Sequence, residues 1–262
     1  MSKTGEMDIL ICSWNNLPYL KLCISSIKSN SAYEHNILIH LNEYRDEEVK
    51  YLTEEGITFT KSEKNIGLCS GTNRLLEHTC KEFICIFDDD MYALPNWDVP
   101  LVEYYRNAND NKVWVSSFMI EPTPSIFKSV IPRNYGSNIN NFQQDRLIKE
   151  HRSLNIPNDI VTNSNAPLMI NRELFIELGG YDTDFDPGVG AELGLAKRMY
   201  DAGCRDFVAL KDSLVYHFSC MTTNKVRKNN IGKRRDETFH RKYNITREHF
   251  VRNVLKKDRI KE

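Results

Sequence analysis

Three carboxylates in a row, Asp88, Asp89 and Asp90, close the apolar run Phe83-Ile84-Cys85-Ile86-Phe87. Such a run, bounded by a polar cluster, reads as a buried strand. Adjacent anions repel one another, so folding stability alone gives the triplet little reason to exist. Hard carboxylate oxygens are ligands that Mg2+ and Mn2+ prefer, and an ion held there would neutralise a diphosphate. The structural alternative is an acidic turn that caps the next helix, since short motifs also arise by chance. Trp14 offers a flat face to a nucleobase, or packs behind the first helix. Gly67 lets the backbone approach a ligand, or starts a helix. His217 follows the apolar strand Leu214–Tyr216 and is either a Mn2+ ligand or a satisfied histidine. The basic run Lys225–Arg235 is a solvated face, or a lid that closes over an anionic diphosphate.

These residues need a scaffold, and the chain reads as alternating strands and helices. Strands are predicted at Asp8–Ser13, Asn36–Leu41, Ile57–Thr60, Phe83–Phe87 and Lys112–Ile120. Helices are predicted at Leu17–Ser29, with Pro18 tolerated near its start, and at Asp46–Glu55, Gly67–Cys80 and Trp97–Asn107. This order implies an α/β domain with a mostly parallel sheet and helices on both faces. Ligands then bind at the carboxyl ends of the strands, where Asp88–Asp90 falls. Pro122 to Asn158 is polar and Asn-rich and reads as loops or a flap over a site. Order returns at Ala166–Asn171, Arg172–Leu178, Ala191–Ala202 and Ser213–Val215, and Gly179-Gly180 reads as a left-handed helix cap.

Composition narrows the classes. The 262 residues suffice for one large α/β domain. Lys+Arg 35 against Asp+Glu 36 leaves no overall field that selects nucleic acid or membrane. Residues 221–262, however, carry 14 basic and 5 acidic side chains, a net +9. The seven cysteines are scattered, form no CxxC pair and read as free thiols. The opening MSKTGEMDIL has no signal-peptide apolar region, and no segment is apolar enough to span a bilayer, so a cytoplasmic setting is expected. A P-loop, HExxH, GxSxG and zinc-type Cys/His pairing are absent. "GVGAELG" (Gly188–Gly194) has the wrong spacing for a dinucleotide fingerprint and follows a turn-like segment.

Read in order, the motifs resemble the family-2 glycosyltransferases, which share the GT-A fold, from about Asp8 to Thr223. "DILICSWNN" is similar to the family's first strand and P-T-Y-N turn, with Ser13, Trp14 and Asn15 in place and Cys12 for the proline. "ILIHLNEYRDEE" is similar to the second strand and its "DDGSTD" end. That puts Asn42, for the usual Asp, and Glu43 where members contact base and ribose. "KNIGLCSGTNRLL" resembles the "N-x-G…R-N-x-G" segment through Asn65, Gly67 and Asn73, with Thr72 at the common arginine. Asp88-Asp89-Asp90 matches the DxD motif, "NAPLMINRELFIELGGYDTDF" the acceptor-wall run, "VGAELGLAKRM" the "GEDVDLCLR" helix, and "VYHFS" the late metal-ligand histidine.

The resemblance implies a single GT-A domain, with a donor half over 1–120, an acceptor half over 121–223 and a basic tail or helix over 224–262. It implies an inverting, metal-dependent transferase with Mn2+ or Mg2+, moving sugar from a nucleoside diphosphate sugar, UDP-linked by expectation, to a hydroxyl acceptor that is a glycan, lipid-linked or small molecule. Asp88, Asp90 and His217 would hold the metal. Ser13, Trp14, Asn15, Asn42, Glu43, Asn65, Gly67, Asn73, Asp88 and Asp89 would hold the donor. Glu192, at the second acidic position of the family helix, would be the base, with Asp184 and Asp186 in reserve; Ala191 and Gly194 replace the other two acids. Three other readings remain open: a nucleotidyl- or phosphotransferase using the same DxD, a noncatalytic binding module, and a transferase acting on a modified nucleic-acid base. The last is less favoured because the tail lacks interleaved aromatic residues.

Overall fold

A computed structural model describes residues 7–162, 167–219, 231–258 and 260. The strands are β1 Met7–Trp14, β2 Asn36–Asn42, β3 Thr58–Ser62, β4 Phe83–Asp88, β5 Met91–Ala93, β6 Val113–Glu121, β7 Val130–Pro132, β8 Ile160–Val161, β9 Leu168–Asn171 and β10 Asp206–His217. The helices are α1 Leu17–Asn30, α2 Asp46–Glu54, α3 Leu68–Arg74, α4 Asp98–Asn107, α5 Gln144–Glu150, α6 Arg172–Glu177, α7 Ala191–Asp201, α8 Ile231–Tyr243 and the short α9 Arg247–His249. The strands form one sheet in the order β3-β2-β1-β4-β9-β6-β10-β5, with β7 on β6 and β8 on β10.

The first half follows the expected alternation. Strands β1, β2, β3 and β4 run parallel, and β1 is buried on both faces along most of its length, with α3 packed on it and Ile9 and Ile11 in one core with Leu20, Cys23 and Ile24 of α1. The second half is more mixed than the sequence suggested. Strand β9 enters between β4 and β6 and runs antiparallel to both, and β5 runs antiparallel to the end of β10. Strands β6 and β10 remain parallel, with a bulge between Leu210 and Leu214. The alternation in sequence does not reveal that β9, roughly 80 residues after β4, fills the gap between β4 and β6.

Three further boundaries differ from expectation. The helix predicted over Gly67–Cys80 ends at Arg74 and continues as a separate 3-10 turn at Leu76–His78. The strand predicted at Ser213–Val215 is the last part of the twelve-residue β10. The 122–158 region is packed, not a loose flap. It contains β7 and α5, and Tyr135, Leu147 and Phe142 join Tyr19, Phe118, Tyr216 and Phe218 in an aromatic-rich core. Tyr216 accepts from the Tyr135 N–H (3.1 Å) and donates to the Gly136 carbonyl (2.7 Å). Its partners are remote in sequence, so no local periodicity marks it.

The basic end of the chain is also a built element over its described part. Phe239, Phe250 and Leu255 are buried with residues of α6 and α7. Lys242 binds Asp182 (2.7 Å) and Asp184 (2.9 Å), and the Asp258 N–H donates to the Val161 carbonyl (2.8 Å). Residues 225–230 of the basic run lie outside the described residues, so the lid reading falls largely there. As expected, Gly179 and Gly180 end α6 in left-handed conformations (φ +80° and +68°).

One buried carboxylate holds the back of the sheet. Asp98, at the start of α4, has no exposed side-chain surface and accepts from the N–H groups of Ala32 and Tyr33 and from His35 Nε2 at 2.9–3.0 Å. Burial alone would raise its pKa, but the His35 and backbone donors outweigh burial and hold it below the usual carboxylate value. Asp98→Asn should therefore cost about 2–3 kcal/mol in urea unfolding at neutral pH. A depressed folded pKa stabilises above the unfolded value, about 3.9, and that stability is lost as pH falls through the folded pKa. The gap between wild type and Asp98→Asn should accordingly shrink on acidification below about pH 4; a gap that grows there would refute the assignment.

Candidate active site

The carboxyl ends of β1, β2 and β4 lie side by side, with Cys12 opposite Asp88 and Trp14 opposite Asn42. Directly past β1 and β2, Asn15 and Glu43 both take left-handed backbone (φ +51°), a conformation that asparagine tolerates and glutamate rarely adopts. At β4 the chain turns through Asp88–Asp90 and returns as β5. Pairing of β5 with β10 sets His217 opposite Met91, and the Phe218 N–H donates to the Asp90 carbonyl (3.1 Å). That pairing joins a histidine late in the chain to the acidic triplet.

Asp88, Asp90 and His217 form one cluster, with a ligand atom from each within 4.8 Å of the others. His217 Nε2 lies 3.3 Å from Asp90 Oδ1, and its Nδ1 lies 2.7 Å from Glu121 Oε1. Glu121 ends β6, and it is the site residue that sequence reading missed. Its only signal was an acid closing the apolar run Val113–Ile120, and the contact with His217 spans 96 positions. A carboxylate on one imidazole nitrogen fixes the tautomer and leaves the other for a metal.

Electrostatics mark the cluster as crowded with negative charge. Burial pushes Asp88 up to about 7; the nearby His217 opposes this, while Asp90 and Glu192 add to it. Burial, with the Asp90 charge, also pushes Asp89 up to about 7. Burial would lower His217, but Asp90, Glu121 and Asp88 together raise it well above the ordinary histidine value. A divalent cation would relieve this repulsion, and two carboxylate oxygens with an imidazole nitrogen suit Mn2+. The donor set therefore fits such an ion.

The remaining predicted residues divide by what they touch. Asp89 lies apart from the cluster, because Ser13 Oγ donates to it at 2.6 Å and Asn16 also bonds it. Trp14 and Glu43 stand on the rim and bond each other, Nε1 to Oε2, at 2.7 Å. The amide of Asn42 is buried and internally committed. It donates to the Gly67 carbonyl (3.1 Å) and Cys12 Sγ (3.0 Å) and accepts from the Ile66 N–H (2.9 Å). Asn65 accepts from the Gly67 N–H (2.9 Å). Asn73 clamps Tyr181 from both sides, donating to its carbonyl and accepting from its N–H, each at 2.7 Å. Among the described residues, Asn15 Oδ1 is buried without a hydrogen-bond partner.

Two of the three candidate bases have structural partners. Asp186 caps α3 from a distance, accepting from Cys69 N–H (2.8 Å) and Ser70 Oγ (2.5 Å). Gly67 (φ +94°) is required there, because a Cβ would collide with the Asp186 carboxylate. Asp184 pairs on the surface with Lys242 and Arg241, which lower its pKa. Glu192 opens α7, half-buried. Burial raises its pKa, while its own backbone N–H and the charges of Lys257 and Arg235 pull it down. Gly194, at one of the missing acidic positions, lies under the Phe185 ring, so a side chain there would clash.

The family model described as "Glycosyl transferase family 2" matches residues 8–179. Three solved structures share the fold. GalNAc-T7 with UDP, GalNAc and Mn2+ superposes with a TM-score of 0.61 at 15% identity, over 83% of this chain and 44% of that one. The mannosyltransferase PcManGT from Pyrobaculum calidifontis, with GDP-Man and Mn2+, gives 0.54 at 16% identity, over 84% and 58%. S. aureus TarS gives 0.58 at 11% identity, over 81% and 36%. The chain thus spans about half the length of the proteins it resembles, or less. No curated protein matches its sequence significantly.

The cluster generates a test independent of turnover. Mn2+ binding, followed by electron paramagnetic resonance, should be weakened at least tenfold by Asp90→Asn and 10–100-fold by Glu121→Gln, which leaves all three direct ligands in place. Wild-type affinity in Glu121→Gln would remove that residue from the site.

Proposed function

The chain belongs to glycosyl transferase family 2, and on that premise we propose that it moves a sugar from a nucleoside diphosphate sugar to a hydroxyl acceptor, with inversion at the anomeric carbon. The observation that carries this reading is the Asp88, Asp90 and His217 cluster at the carboxyl ends of the parallel strands, with Glu192 close enough to raise Asp88. A bound divalent cation, Mn2+ in preference to Mg2+ given the imidazole ligand, would neutralise charge on the leaving diphosphate. Asp88, Asp90 and His217 would hold it, and Glu121 would orient His217.

The donor's base and ribose fit the rim. Trp14 offers a ring face and Glu43 a carboxylate, both beside the left-handed turns at Asn15 and Glu43. Asn42, Asn65, Gly67 and Asn73 act behind this rim, where their hydrogen bonds shape the 65–67 loop and anchor it to Tyr181. Ser13 acts through Asp89 in the same way. We infer a UDP donor from the family resemblance. Residues 1–120 would serve the donor and 121–223 the acceptor.

Glu192 would accept the proton of the acceptor hydroxyl as its oxygen forms a bond to the anomeric carbon and the bond to the diphosphate breaks. A helix N-terminus favours the ionised form, while burial raises its pKa toward the range a base needs. The competing acids are engaged elsewhere, Asp186 on α3 and Asp184 on α8. Arg241 and Lys242 are paired with Asp182 and Asp184, which weakens the case for a nucleic-acid acceptor.

Glu192→Gln should bind donor normally and lose about 10²–10⁴-fold in transfer rate. In the wild type the rate should fall on the acid side with an apparent pKa above the ordinary glutamate value. Asp184→Asn should transfer at near wild-type rate. Chelation with EDTA should abolish transfer and manganese should restore it. Product analysis decides the class: release of nucleoside diphosphate supports the reading, and release of pyrophosphate overturns it.

A further inference from the structure

Among the described residues four large hydrophobic side chains are exposed, among them Ile126 (90%), Phe127 (46%) and Ile260 (60%). Ile126 and Phe127 sit on the loop between β6 and β7. Lys257 and Asp258 of the C-terminal segment, three and two positions before Ile260, lie against that loop. Lys257 Nζ stands 4.5 Å from the centroid of the Phe127 ring, and Lys128 Nζ donates to the Asp258 carbonyl at 3.2 Å. The segment is itself anchored, through the Asp258 N–H on the Val161 carbonyl and a bridge between Ile260 and Ile160. The patch is therefore held in place by the fold.

The charge at its rim is mainly cationic. From Pro122 to Gln144 there is no Asp or Glu, while Lys128 is present and Lys256 and Lys257 approach from the C-terminal segment; Arg133 is paired with Glu150 (3.9 Å). Of the acids nearby, Glu121 holds His217, Asp159 accepts from the Lys211 N–H, and Asp258 Oδ1 is buried away from solvent without a hydrogen-bond partner. The apolar residues form a projecting tip with a cationic collar, not a groove that would grip a peptide. No described helix is long and apolar enough to cross a membrane, so insertion would be limited to the interface.

We propose that the 122–129 loop, with Lys256–Asp258 and Ile260, forms a docking surface for an anionic lipid bilayer, with Ile126 and Phe127 entering the interfacial layer and Lys128 and Lys256 facing the headgroups. The loop leaves β6 directly after Glu121, and Lys257 is near enough to Glu192 to influence it. Docking there brings the end of β6 that carries Glu121 close to the headgroups. On the transferase reading above, this selects an acceptor hydroxyl carried on a lipid.

The test is co-sedimentation of the full chain with vesicles of phosphatidylcholine alone, or with about 30% phosphatidylglycerol. The anionic vesicles should retain the protein, and retention should fall between about 50 and about 500 mM salt as the charges are screened. Ile126→Asp with Phe127→Asp, and separately Lys128→Glu with Lys256→Glu, should each weaken retention at least tenfold. Both variants should stabilise with Mn2+ as the wild type does, which shows that the fold and the metal cluster persist. Failure of the wild type to bind anionic vesicles overturns the proposal, as does unchanged binding of both double variants. A concentration-dependent dimer lost in Ile126→Asp with Phe127→Asp would assign the patch to self-association and also overturn it. Donor turnover is measured without vesicles, so loss of the transferase reading would leave the vesicle result standing.

Discussion

Mutual repulsion among clustered carboxylates shapes the site. Asp88, Asp90, Glu121 and Glu192 converge where the parallel strands end, with Asp89 beside them on Ser13, and burial and neighbouring acids drive Asp88 and Asp89 toward neutrality. Such a cluster persists because the fold supplies opposing positive charge in graded form. His217 enters by the pairing of β5 with β10, and Lys257 and Arg235 approach Glu192 from the C-terminal segment and α8. A divalent cation would offset the charge of Asp88 and Asp90 together, and the cluster could hold one.

Much of the polar machinery around the cluster acts at one remove. Asn42 links the ends of β1 and β2 to the loop before α3, Asn73 joins α3 to Tyr181, and Asp186 caps α3 across 117 positions. Each replaces a ligand contact with a backbone contact. The result is a rim whose shape is set by hydrogen bonds among protein groups, with the half-buried Trp14 and the exposed Glu43 and Asn65 at its surface. Preorganisation of this kind lowers the ordering cost when a ligand arrives.

The legible parts of the sequence were those where one element carries its own signal. Strand β4 with its acidic end, the Pro18 helix and the Gly179-Gly180 cap could be read locally, and the ordered motifs led to the family. His217 and Asp90 could be paired only through the family resemblance, since 127 positions separate them. Glu121 was invisible because its meaning depends on a partner from another strand. The 122–158 region does contain long loops, but its packing was not legible because its core partners, Tyr19 and Tyr216, lie outside it. The basic tail was read by charge, whereas Phe239 and Phe250, two aromatic residues in a polar stretch, decide its packing.

The insertion of β9 between β4 and β6 bears on synthesis. Strand β4 ends at Asp88 and β9 begins at Leu168, so roughly 80 residues must emerge before the edge of β4 is covered. At about 5–20 residues per second, the run Phe83–Phe87 has an unpaired edge on the nascent chain for roughly 4–16 s. An apolar strand with open backbone groups is a template for pairing with another chain. Translation speed across α4, β6 and α5, and chaperone access during that interval, therefore bear on the yield of folded protein as well as the stability of the finished sheet.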